Sequence, residues 1–261
     1  MLTNTLRFVS WITLAAFLPV GGAFAAPAGQ LTQTSGYVAV SSAKSAIRAA
    51  GNGEAIEAGE TVTVGEGAQS VIKFQDGQII ALQSKSIFKV NSYKYDQAAP
   101  EKGESFFSLL QGGLRAITGL IGNSNKVGWK LATPTITIGI RGTDFMAVVN
   151  QGVFVKVDAG AISATNSAGT TVFTAGQIGS VATGSTLGVV VPASAVPAGT
   201  FGELSAINLG ALGGASTGAS AAAGGTIIGI PTGVVVGVGI AGAAAAAAGG
   251  GGGGGGTTTH H

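Results

Sequence analysis

Thr135-Ile136-Thr137-Ile138-Gly139-Ile140-Arg141 alternates apolar and polar residues without a break. Successive side chains of a strand point to opposite faces. Ile136, Ile138 and Ile140 therefore share one face, with the threonines and Arg141 on the other, as in a half-buried strand. The same two-residue period recurs upstream. Ser70-Val71-Ile72-Lys73-Phe74-Gln75 meets Gln78-Ile79-Ile80-Ala81-Leu82 across Asp76-Gly77. An Asp-Gly pair suits a two-residue type I′ hairpin turn. That turn would set Phe74 opposite Ile79 and Ile72 opposite Ala81. Both faces of this hairpin are partly apolar, so the sheet is expected to be covered on two sides.

A second hairpin is expected from Asp144-Phe145-Met146-Ala147-Val148-Val149 to Val153-Phe154-Val155-Lys156-Val157, turning at Asn150-Gln151-Gly152. Short strands follow around Ile162, Thr170–Thr174 and Ile178–Val181, separated by Gly160, Gly169 and Gly176. Turns every 8–12 residues or so favour an all-β domain over βαβ units. Helix signals are few. Ser105–Leu110 is the best short candidate, and it reads equally well as a strand. The expected fold class is a single β-rich domain of roll, solenoid or sandwich type.

Composition limits the chemistry. Of 261 residues, 46 are glycine and only 24 are charged (13 Lys+Arg and 11 Asp+Glu). Cysteine is absent, which excludes disulfides, thiolate zinc sites and a cysteine nucleophile. The two histidines are His260 and His261, so neither a Ser-His-Asp triad nor a buried histidine metal site is expected. A net charge of +2 without a Lys/Arg cluster argues against a nucleic-acid partner. No catalytic, cofactor-binding or metal-binding constellation is expected. Gly237-Val238-Gly239-Ile240-Ala241-Gly242 fits a dinucleotide fingerprint, but no acidic residue follows it. Ser41-Ser42-Ala43-Lys44 lacks the companion motifs of an acyl-serine enzyme. Glu54, Glu57 and Glu60, set among glycines, read as solvated loops rather than a calcium site.

The chain divides into zones. Residues 1–25 read as a secretory signal. Arg7 precedes an apolar run from Phe8 to Leu18, and Ala23-Phe24-Ala25 fits the small-residue cleavage rule, with cleavage before Ala26. Residues 26–182 form the β domain. Residues 183–225, with Pro192 and Pro197, read as a linker. Residues 226–261 are an apolar Gly/Ala-rich tail. From Ala159 to His261 the only formal charge is Glu203. Within the tail, residues 226–247 carry no charge, and as a helix would be long enough to cross a bilayer core. Gly229, Gly233 and Gly237 fall four apart, a spacing that lets helices approach closely. The alternatives are one membrane-associated or self-associating helix and a flexible low-complexity coil.

The order of short motifs resembles the FecR domain family of exported bacterial proteins. The carriers are Phe74-Gln75-Asp76-Gly77, Gly113-Leu114-Arg115, Thr133-Pro134 and Arg141-Gly142-Thr143-Asp144-Phe145. The resemblance covers about residues 35–160. It implies an all-β periplasmic module that, in the best-known members, relays a signal from an outer-membrane transporter to a sigma factor. Those members carry a cytoplasmic anti-sigma segment before a membrane span. Here Arg7 lies almost at the start, which leaves no room for such a segment. The expectation is therefore a non-enzymatic module that binds an envelope protein or polymer, exported to the periplasm or cell surface. Membrane association would come through the tail. Signal relay is the alternative.

The motif residues Asp76, Gly77, Gly113, Leu114, Arg115, Thr133, Pro134, Arg141, Gly142, Thr143, Asp144 and Phe145 are the candidate interaction positions. Asp76-Gly77 reads first as a turn, and Thr133-Pro134 as a strand start. Arg141 is expected to tie loop carbonyls or a carboxylate such as Asp144 or Asp76. Gly142 would permit φ > 0 and Thr143 would cap the turn. Lys85, Lys89 and Lys94 with Tyr93 and Tyr95 read as a mildly basic, aromatic sheet edge.

Overall fold

The computed structural model describes residues 27–43, 45–207 and 209. Of the two units into which the chain divides, Met1–Ser216 and Thr217–His261, every described residue belongs to the first. The signal segment, the uncharged tail segment and the Gly237–Gly242 motif all lie outside the described residues, as does Lys44.

Fifteen strands join in one hydrogen-bonded network. They are β1 Gly29–Ser35, β2 Val38–Ser41, β3 Arg48–Ala49, β4 Ala55–Ile56, β5 Thr61–Val64, β6 Gln69–Phe74, β7 Ile79–Leu82 and β8 Ile87–Lys94, then β9 Glu104–Ile117, β10 Trp129–Ala132, β11 Thr137–Val149, β12 Val153–Asn166, β13 Gly169–Thr174, β14 Ile178–Val181 and β15 Val189–Val191. Two short helices accompany them, α1 Leu120–Ser124 and α2 Gly202–Ala206.

Three long strands fold this network into two layers. The first half of β9 pairs with β8 and β10, and its second half with β7 and β11. In β11 the first half pairs with β10 and the second with β9. In β12 the first half pairs with β14 and the second with β13. Each strand changes partners where its backbone turns to positive φ, at Gly112, Gly142 and Gly160. The β11–β12 register shifts at the same place, between Arg141 and Asp144. A bulge of this kind bends a strand sharply and lets it pass from one sheet to another. At the bend the two strands touch: a Cβ on Gly160 would overlap the carbonyl oxygen of Gly142.

One layer therefore holds β2, β3, β5, β8, β10 and β13 with the first halves of β9 and β11 and the second half of β12. The other holds β1, β4, β6, β7, β14 and β15 with the remaining halves. The main core lies between them, with aromatic contacts crossing it. Phe74 meets Phe107 at 5.1 Å between ring centroids, and Trp129 meets Phe145 edge-on at 6.0 Å. Trp129, Phe88, Phe107, Phe145 and Phe173 are fully buried. Such offset and edge-to-face contacts add about 0.5–1.5 kcal/mol each beyond area burial.

The alternating isoleucines behave as their period implies, with Ile136, Ile138 and Ile140 in the core and Arg141 exposed. The second hairpin forms where expected, with Val149 opposite Val153. Ser105–Leu110 is strand, part of β9.

The first hairpin differs by one residue. Ile72 lies opposite Ile80 and Lys73 opposite Ile79. Gly77 N donates to Phe74 O at 3.1 Å and Phe74 N donates to Gln78 O at 2.9 Å, so the loop has three residues, Gln75-Asp76-Gly77. Only Gly77 has positive φ (82°), whereas a type I′ turn needs it at two positions. The shift puts Ile72, Phe74, Ile80 and Leu82 in the main core, and Val71, Ile79 and Ala81 in a second cluster on the outer face.

That outer face is covered by the chain itself. Leu204, Ile207 and Leu209, with Phe201, pack on Val71, Ile79, Ala81, Met146 and Val148. The carboxylate of Glu203 accepts from Ser84 N at 2.9 Å. Part of the stretch read from composition as a linker thus carries β15 and α2 and closes the sheet's second face. Its small residues and prolines masked a few well-placed apolar side chains.

Candidate functional site

The motif residues fall into three places. The first is a buried hub at Asp76, whose side chain is sealed by the layers. Its Oδ1 accepts from Tyr93 Oη at 3.1 Å and Gln78 N at 3.2 Å, and its Oδ2 accepts from Ile121 N at 3.2 Å. Asp76 N donates to Tyr93 Oη at 2.9 Å, and Leu120 N donates to Asp76 O at 2.9 Å. One aspartate thus joins the β6–β7 loop, β8 and the first turn of α1. Burial pushes its carboxyl above the ordinary 3.8, and the donors around it oppose that rise. Burial and the neighbouring Asp76 hold the Tyr93 phenol well above its usual range. Next to the hub, Trp129 Nε1 donates to Gln78 Oε1 in the core. Tyr93 faces inward here, and Lys85 and Lys94 pair with Glu66 and Glu104. The basic, aromatic sheet edge expected from the sequence is therefore not assembled.

The second place is the outer face of the β7-containing layer. Arg115 grips Asp144 with both arms, Nε to Oδ1 at 2.9 Å and Nη2 to Oδ2 at 2.7 Å. Asp144 raises the Arg115 guanidinium's pKa by hydrogen bonding, against the cost of burial. Lys156 and Asp158 pair beside them at 3.0 Å. Of the two carboxylates expected as partners of Arg141, Asp144 is taken by Arg115 and Asp76 is held in the buried hub. Asp144 sits in β11, Asp158 in β12 and Asp76 under α1. Two of the three are matched by cations and the third is buried.

The third place is the corner of β11. Thr143 is buried and locked to Thr118, whose Oγ1 accepts from Thr143 N and donates to Thr143 O, both at 2.9 Å. Phe145 and Leu114 are core residues. Gly113 lies against Ser86, whose Oγ donates to Gly113 O and accepts from Gly113 N. Thr133 and Pro134 do not start a strand. They make the tight turn between β10 and β11, with Thr133 Oγ1 accepting from Ile136 N at 3.1 Å. Proline belongs at the second position of such a turn, where no ladder donor is needed. Arg141 stands apart. Its backbone pairs with Ala161 in the β11–β12 ladder, but its side chain is exposed on the outer face of the β8-containing layer, where no described residue hydrogen-bonds or ion-pairs with the guanidinium.

Residues 60–163 match the family model for FecR protein. Over that stretch, a little under half of the chain, this protein is similar to FecR proteins. The match runs from the residue before β5 into β12, so β1–β4 and β13–β15 extend the domain's layers on either side. Two crystal structures of a proposed anti-sigma factor from Parabacteroides distasonis resemble the chain at 12% identity and a TM-score of 0.39. The likeness covers 50% of this chain and 57% of that one, so the chain spans little more than half of that protein's length. No curated protein matches the chain. Among the described residues, no helix is long and apolar enough to cross a membrane, and no group of three acids or histidines is placed to hold a metal. Glu54 and Glu60 both bind Arg48, at 2.9 Å and 2.7 Å. Within the matched stretch, most motif residues maintain the bends and the core. Gly77, Pro134, Arg141 and Gly142 are the exposed motif residues, and of these only Arg141 carries a side chain able to hydrogen-bond.

Proposed function

We propose that this chain is a non-enzymatic FecR-type signal-relay module that works through protein–protein contact on the exported side of the cell envelope. The family match is the first support. The observation that carries the reading is the position of Arg141. A residue of the family motif stands exposed and without a described partner, while its neighbours Thr143 and Phe145 are buried. A guanidinium presents five donors in a rigid fork, and an unpaired one on a rigid corner is suited to a carboxylate or a carbonyl pair of a partner. The bend at Gly142 holds the corner in place.

Deleting the gene and comparing transcripts tests the relay. A defined set of genes is expected to change, and wild-type protein should restore it while Arg141→Glu does not. The variant should keep the wild-type melting temperature. An unchanged transcript profile after deletion would leave envelope binding without signalling, and full restoration by Arg141→Glu would remove the corner from the interface.

A further inference from the structure

The two side margins of the molecule are built differently. One ends in β3 and β4, where Arg48 binds Glu54 and Glu60 and also donates to Ala55 O. The other ends in β13 and β15. From Ala159 to Gly202 the chain has no charged residue, so this margin is uncharged throughout.

β15 is the exposed part of it. Its partner is β14, with Ile178 opposite Val191, Gly179 opposite Val190 and Ser180 opposite Val189. Among the described residues, no strand lies on its other side. Val189 and Val190 are 56% and 55% exposed, and Leu187 is 52% exposed. An edge strand offers a row of unpaired N–H and C=O groups, and soluble proteins usually guard it with lysine, a bulge or a covering segment. Here no lysine, bulge or covering segment is described, and the edge is limited only by the strand's three-residue length and by Pro192 after it.

We propose that β15 is a homotypic docking edge, and that a second copy of this chain pairs its own β15 antiparallel to it, with the two-fold axis at Val190. About a two-fold axis at Val190, Val189 of one copy faces Val191 of the other, so valine meets valine at every position of the ladder. An uncharged margin meets its own copy without like-charge repulsion, which the charged β3/β4 margin does not allow as freely. A two-fold contact also closes on itself, so assembly stops at a dimer. The ladder then runs β14, β15, and β15 and β14 of the second copy. Three residues make a short ladder, so the dimer is weak and appears at high concentration.

The chain contains no cysteine, so a single thiol reports cleanly. Under mild oxidation, full-chain Val190→Cys is expected to give about tenfold more disulfide-linked dimer than Val127→Cys, because paired edges hold the thiols at a high effective concentration. Val127 is 78% exposed, in the segment between α1 and β10. Val190→Lys should abolish the concentration-dependent dimer in sedimentation velocity without moving the melting temperature. Linkage no greater than the Val127→Cys control overturns the proposal. Gly233-Val234-Val235-Val236 repeats the sequence Gly188-Val189-Val190-Val191. If Val190→Cys/Val235→Cys links within one chain at the expense of dimer, the edge belongs to that segment, and the second-copy assignment fails.

Discussion

The two layers share three strands and one core, yet their outer faces differ. The face containing β7 is finished by the chain itself. Leu204 and Ile207 cover its apolar half, and Arg115–Asp144 and Lys156–Asp158 neutralise its charged half. The face containing β8 and β10 carries Arg141, Phe106 and Lys130 exposed, and none of the described later chain returns over it. Folding thus closes one outer face with the chain's own residues and leaves the other open. Arg115 and Arg141 show the difference within one motif set. Both arginines leave long strands, but only Arg115 faces a carboxylate on the neighbouring strand.

Four substitutions break or sharpen this contrast. The largest effect is expected from Gly160→Ala. The added methyl would collide with the Gly142 carbonyl at a φ of 74°, so the bend linking the layers fails. A loss of about 4 kcal/mol or more, or failure to fold, is expected in urea unfolding followed by circular dichroism.

Asp76→Ala comes next. It leaves Tyr93 Oη, Gln78 N and Ile121 N without their acceptor, at a cost of about 3 kcal/mol. Asp76 also has a pH signature. Its carboxyl titrates higher in the folded state than the ordinary 3.8. Its stabilisation is therefore complete below about that pH and is lost as pH rises through the folded value. Urea midpoints between about pH 3 and 7 should show this fall, and Asp76→Asn should flatten that component. A slope of the opposite sign would mean that the donors outweigh burial.

Arg115→Ala unpairs a half-buried carboxylate and should cost about 1–3 kcal/mol, or roughly 2–9 °C in Tm. Arg115→Lys should recover only part of this, because the two-armed grip is lost. Arg141→Ala should be the smallest, within about 0.5 kcal/mol of wild type. A drop in Tm as large as that of Arg115→Ala would mean that the β8-side face is also closed by the protein, and would end the contrast.

Much of the fold was legible. Period-2 patterning located the β11 core face, and glycine spacing located the strands after Val153. The expectation of a sheet covered on both sides also follows from the two apolar faces of the β6–β7 hairpin. The site was less legible. Arg141 reads as tying loop carbonyls or a carboxylate such as Asp144 or Asp76, yet Arg115, twenty-nine residues from Asp144, takes that carboxylate through the β9–β11 ladder. Asp76 read as turn chemistry, and that reading holds for the backbone. Its side-chain role depends on Tyr93 and Ile121, which no local pattern connects to it. The one-residue change of register likewise shows only in the ladder, where Phe74 and Gln78 close a three-residue loop.

By itself, the sequence determined which residues face inward along each strand, because a side-chain period of two needs no knowledge of partners. It also determined the FecR motif order and the separation of charged from uncharged stretches. Only the tertiary structure decided which arginine is paired, where the three long strands cross between layers, and what covers the second apolar face. Those outcomes depend on contacts between residues distant in sequence, and the chain's local pattern carries no information about which strand will lie next to which.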